Sequence, residues 1–214
     1  METAVTTLTA PTVPTPLPTV PAAPVRHVQS PCAAATLVIF TAVDGVLCEA
    51  DTRSTHETRA ALRLLRQRDI PLVLTSACPP ADVLALQREL AIRYPFVANG
   101  GASLHIPAGY FPELTRIGAQ AAGWNIVEFK VPEAGHAIRL LMSLYRLCSE
   151  EVVIVALADT AQHRVLLHEA DVAVIVRNDH VDQRGIRRDM PSAYLTTAEG
   201  PAGWSEAILG SVGE

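Results

Sequence analysis

Two short acidic stretches carry most of the chemistry this sequence could perform. Thr41-Ala42-Val43-Asp44-Gly45-Val46 follows the apolar run 36–40, and Ala158-Asp159-Thr160-Ala161-Gln162-His163 follows the apolar run 152–157. A carboxylate fixed at the end of a buried strand can transfer a proton or hold a hard cation. The same carboxylates can instead cap turns and helix starts, so at this level both readings stand. Ser76-Ala77-Cys78 follows a third run, 71–75, and offers a hydroxyl that could bind an anion or close a turn. His163 and His168 are five residues apart, a poor spacing for one helical face, and read as surface histidines. Cys32, Cys48, Cys78 and Cys148 form no C-x-x-C pair, which argues against zinc and for a reducing compartment. Cys48 and Cys78 each lie just beyond a strand, and a disulfide between them would need Cα atoms within about 7 Å.

The elements that must hold these residues alternate in type. Apolar runs at 36–40, 71–75, 96–98, 152–157 and 172–176 read as short strands buried on both faces. Between them, 55–68 places Ala61, Leu62, Leu64 and Leu65 among arginines as an amphipathic helix. Pro79-Pro80 opens another helix through Leu90, 133–148 forms a long one, and 161–169 a shorter one. A last helix begins near Pro201. Strands joined by crossover helices imply a Rossmann-like α/β fold, a three-layer sandwich around a mainly parallel sheet. In such sheets ligands bind at the carboxyl ends of the strands, which is why the residues after each strand matter. The stretch 102–130 is turn-rich and reads as a hairpin or two. Residues 1–33 are rich in proline, threonine and alanine and read as an extended arm preceding a core domain at 34–214.

Hydrophobic residues make up 49% and charged residues 18% of the 214, a globular balance with one good core. The net charge of −5 comes with no basic stripe, which excludes a nucleic-acid partner at this level. No apolar run is long enough to span a bilayer, and the N-terminus lacks the basic and apolar regions of a secretory signal, so the expected location is the cytoplasm.

Taken in order, Leu37 to Asp44, Pro71 to Ser76, Val83 to Leu90, Asn99-Gly100-Gly101, Gly109 to Pro112, Gly123-Trp124, Leu144-Tyr145-Arg146 and Ala170-Asp171-Val172 resemble the haloacid-dehalogenase superfamily, specifically its mannosyl-3-phosphoglycerate phosphatase-like branch. The resemblance spans roughly residues 36–209. It implies a D-x-D-G-T loop whose first aspartate attacks phosphorus and whose second is the acid/base. Here Ala42 stands in the nucleophile's place, Asp44 in the acid/base position, Gly45 in the glycine position, and Val46 replaces the threonine. Ser76 matches the phosphate-binding hydroxyl. Alanine stands where the phosphate-neutralising lysine is expected, near Glu133-Ala134-Gly135-His136; Lys130, the sole lysine, lies a few residues upstream. The Mg²⁺ motif keeps Asp159 but carries His163 in place of its last acid, so the implied metal site is weak.

The resemblance also implies a cap domain after the Asn-Gly-Gly segment, yet only about 30 residues are present there, a stub at best. Tyr110, Phe111 and Trp124 lie in that stretch, either as an exposed patch that binds a partner protein or repacked onto the core. The joint loss of nucleophile, lysine, metal acid and cap implies a pseudophosphatase acting as a protein-binding or accessory subunit of an assembly. The alternatives are a hydrolase of a phosphorylated sugar or small phosphometabolite with an altered, Mg²⁺-dependent site, and a sensor that binds a phospholigand without cleaving it.

Overall fold

Strand β1, Leu37–Ala42, is buried along nearly its whole length because both of its faces are covered by helices. The computed structural model describes residues 35–49, 54–111, 126–130 and 134–212. The arm expected at 1–33 and Trp124 lie outside these residues. Parallel partners flank β1: β2 (Leu72–Thr75) on one side and β6 (Val153–Ala158) on the other. Beyond β2 come β3 (Phe96–Ala98), β4 (Ser103–Pro107) and β5 (Ile126–Lys130); beyond β6 come β7 (Val172–Arg177) and β8 (Tyr194–Glu199). The order is β5-β4-β3-β2-β1-β6-β7-β8, all parallel except the antiparallel β4 at one side. The expected α/β sandwich with a mainly parallel sheet is therefore the fold observed. The 102–130 stretch contributes a hairpin, β4 and β5, that extends this sheet.

Helices α1 (Arg59–Gln67), α2 (Pro80–Glu89), α3 (Ala134–Cys148), α4 (Arg164–Glu169), α5 (Arg184–Asp189) and α6 (Gly200–Val212) connect and cover the strands. Side-chain alternation along β1 assigns the layers. Phe40 meets Tyr145 of α3 edge-on, with ring centroids 6.0 Å apart, while Thr41 meets Trp204 of α6. Helix α1 packs with α6 on one face, and α4 with α3 on the other. In α1, Ala61, Leu62 and Leu65 are buried while Arg59, Arg63 and Arg66 face water. The helix starts four residues later than its apolar pattern suggests, because Thr55 to Thr58 form a turn closed by Thr58 Oγ1 donating to Thr55 O at 3.0 Å.

The exposed-patch reading of Tyr110 and Phe111 is corrected by their burial, 4% and 1% exposed. Tyr110 Oη lies 2.9 Å from Tyr145 Oη, and Phe111 packs edge-on against the Tyr145 ring at 5.1 Å. This aromatic pair, just after β4, buries its apolar area against α3. These two side chains belong to the core.

Helix α6 is seated so tightly that a Cβ at Gly203 would fall 2.3 Å from Ala198 O and 2.6 Å from Thr196 Oγ1. The first neighbour is backbone and cannot rotate away. Gly210, in the same helix, has nothing within 4 Å of such a Cβ. Gly203→Ala is therefore expected to destabilise by about 1–3 kcal/mol or more, while Gly210→Ala stabilises by up to about 1 kcal/mol. Chemical denaturation of the two variants checks the opposite signs.

Candidate functional site

Residues placed after β1, β2, β6 and β7 converge at the carboxyl end of the sheet, where the strand order reverses between β1 and β6. The loop after β1 is a tight turn. Val43 O accepts from Leu47 N and Cys48 N, both at 3.0 Å, and Gly45 N donates to Cys48 O at 2.9 Å. Gly45 holds φ +76°, and a Cβ there would sit 3.3 Å from Asp159 Oδ2. Conformation and crowding both require glycine at this position.

Ala42, where the resemblance would put a nucleophile, is fully buried and carries only a methyl group. Asp44 is half-buried, and its Oδ2 accepts from Ser76 Oγ at 3.4 Å and Cys78 Sγ at 3.9 Å. The Ser76 hydroxyl is engaged locally as well, accepting from Cys78 N at 3.0 Å. Asp44, Gly45, Ser76 and Asp159 are thus brought together as their places in the sequence imply. Cys48 and Cys78 are not joined in a disulfide.

Asp159 is 3% exposed. Its Oδ2 accepts from Asn178 Nδ2 at 2.7 Å, and its main-chain oxygen accepts from Gln183 Nε2 at 2.7 Å. Gln183 also donates to Val176 O at 2.8 Å, so one amide clasps the ends of β6 and β7. Asp159 Oδ1 has no hydrogen-bond partner among the described residues. The nearest ring is that of His163, whose Nδ1 lies 3.9 Å from that oxygen and 3.1 Å from Thr160 Oγ1. The surface reading of His163 is therefore corrected, since its side chain is 26% exposed and faces the acid; His168 is on the surface. Burial holds the His163 imidazole below its ordinary pKa, against the opposing pull of the Asp159 and Asp44 carboxylates. At neutral pH the ring is uncharged and gives Asp159 no counter-charge.

Asn178 and Gln183 went unread in the sequence. Asn178 is the second residue of Arg177-Asn178-Asp179 at the end of β7. The rule that pointed to Asp44 and Asp159 would have found it, had it been applied to that strand.

Lys130 cannot supply the missing positive charge. Its register partner is Ser103, which pairs with Ala98 at the end of β3. That places it on β5, four strand steps from β1, about 19 Å at ~4.8 Å per step. Helix α3 begins at Ala134, with Gly135 against Val165 at the start of α4. The Mg²⁺ implied by the resemblance also finds a poor fit. Mg²⁺ demands a near-octahedral shell of hard oxygens, and no group of three His, Cys, Asp or Glu able to hold a metal is present among the described residues. One orphaned carboxylate oxygen beside an imidazole and a methyl group does not make that shell.

Comparison with known proteins agrees with this geometry. Residues 39–111 match the model of haloacid dehalogenase-like hydrolases. The chain is 30% identical over 92 residues to the glucosyl-3-phosphoglycerate/mannosyl-3-phosphoglycerate phosphatase of Methanococcoides burtonii, covering 43% of this chain and 34% of that one. It is 34% identical over 74 residues to the protein of the same name from Persephonella marina, covering 35% and 28%. The matched stretches span about a third of these relatives' length. Among solved structures, a haloacid dehalogenase-like hydrolase from B. subtilis superposes with a TM-score of 0.56 at 13% identity, over 80% of this chain and 98% of that one. Sucrose-phosphatase from Synechocystis sp. PCC6803 does so at 0.50 and 13%, over 82% and 98%. Residues 39–111 thus resemble haloacid dehalogenase-like hydrolases, shorter matched stretches resemble the two phosphoglycerate phosphatases, and the solved structures share the fold.

Proposed function

We propose that this chain is a haloacid-dehalogenase fold that has given up phosphoryl transfer and serves as a protein-binding or accessory module. The observation that carries the reading is the buried methyl of Ala42, in a loop whose acid/base aspartate and glycine are otherwise in place. A methyl group has no lone pair with which to attack phosphorus. Among the described residues the two nearby acids are otherwise engaged. Asp44 faces Ser76 and Cys78, and Asp159 is held by Asn178. Losing a nucleophile that works as part of a unit costs on the order of a millionfold in rate. No phosphate-neutralising lysine stands near the site either.

Hydrolysis is the direct test. Purified chain supplied with an aryl phosphate or a panel of phosphosugars in millimolar Mg²⁺ is expected to release no phosphate above the blank, with Asp44→Ala indistinguishable from wild type. Mg²⁺-dependent turnover abolished by Asp44→Ala would overturn the reading. A second measurement addresses the metal. A ligand that binds only the folded state raises stability with its concentration, so the thermal midpoint is expected to be the same in millimolar Mg²⁺ as in chelator. A Mg²⁺-dependent rise would show that a cation shell forms after all.

A further inference from the structure

A cleft of about 430 Å³ opens between α5 and the outer strands β7 and β8, with Ile175, Met190 and Leu195 among its lining and Arg184, Arg187 and Arg188 at its rim. The apolar floor exists because this part of the sheet face is roofed by a helix of only six residues, which contributes one buried side chain, Ile186. The charges around it do not cancel. Arg184 is paired with Asp182 at 3.1 Å, and Asp189, the acid of the same helix, is taken by Arg164 from α4. Arg187 and Arg188 are exposed and have no ion-pair partner among the described residues. In a chain of net charge −5, two uncompensated guanidinium groups beside an apolar recess form a local exception.

We propose that this cleft docks an acidic peptide segment of a partner protein, with one apolar side chain seated on Ile175, Met190 and Leu195. Flanking carboxylates meet Arg187 and Arg188. The inference rests on the accessory-module reading and names the partner's chemistry. Guanidinium forks match carboxylates in planar, two-bond geometry, and an apolar anchor removed from water adds affinity that charge alone does not. The cleft is open to solvent, as suits a chain passing through it.

Fluorescence anisotropy of the full chain, using a short labelled peptide of glutamates around one central leucine, tests the proposal. Saturable binding is expected, weakened about tenfold or more by Arg187→Glu with Arg188→Glu. Exchanging the probe's leucine for glycine is expected to weaken it severalfold. Both arginines are exposed, so the thermal midpoint of the double variant should match wild type and exclude misfolding. Absence of saturable binding, binding that survives the charge reversal, or indifference to the leucine would each overturn the proposal. So would full displacement by millimolar inorganic phosphate, which would identify a simple anion site. Phosphatase activity in the same preparation would instead strike at the accessory-module reading and leave the binding result standing.

Discussion

The hydrogen bond from Trp204 Nε1 to Thr41 Oγ1, 3.0 Å long, joins the last helix to the first strand across 163 residues of sequence. A fully buried indole needs an acceptor for its N–H, and in this core the acceptor is a threonine on the central strand. The Thr41 hydroxyl is also a donor, to Ala42 O at 2.8 Å, while Thr75 Oγ1 donates to Thr41 O at 3.0 Å. These bonds tie α6, β1 and β2 together at the residue just before the site loop. Hydrogen bonds in such a low-dielectric setting are costly to break singly, because each leaves a buried polar group unpaired. The loop's position is thus fixed by core packing and owes nothing to a reacting side chain at position 42.

The same logic accounts for the acids that remain. One carboxylate oxygen of Asp159 accepts from Asn178 and its carbonyl accepts from Gln183, so it cross-links the ends of β6 and β7 beside the switch point. A Cβ at Gly45 would sit 3.3 Å from Asp159 Oδ2, so a side chain there would press on the acid. The acids thus have structural work that does not depend on hydrolysis.

The continuous apolar runs of β1, β2, β3, β6 and β7 were legible because strands buried on both faces leave no alternation to misread. What escaped was β8 and α5. Tyr194-Leu195-Thr196-Thr197-Ala198-Glu199 is an edge strand with a single buried residue, Thr196, and its free amides at Thr197 and Ala198 are covered by the Glu206 carboxylate from α6. An edge satisfied by a distant side chain has no local hydrophobic signature. Helix α5 buries only Ile186, too little for periodicity to register. At the site, Asp44, Ser76 and Asp159 were legible from their places after strands. His163 was not, because helical spacing says nothing about a residue in the short 3-10 turn of Ala161–His163 that turns it toward Asp159. Tyr110 and Phe111 were ambiguous for a related reason, since a sequence shows that aromatics are present but not which face of a hairpin they cover.

Charge places a further constraint on the switch point. Asp44 and Asp159 both lie close enough to His163 to raise its pKa, yet burial outweighs them and the ring stays neutral at neutral pH. Among the described residues, the end of the sheet carries two carboxylates beside an imidazole whose charged form burial disfavours. Like charges repel in proportion to their closeness, so carboxylates there would oppose a phosphate anion. The resemblance implies a lysine and a metal that would offset such repulsion. Here the lysine is four strands away and the oxygen shell is incomplete. The arginines left unpaired by the fold stand instead along α5, beside the cleft formed by β7 and β8. The described arginines without an ion-pair partner thus lie apart from the end of the sheet that holds Asp44 and Asp159.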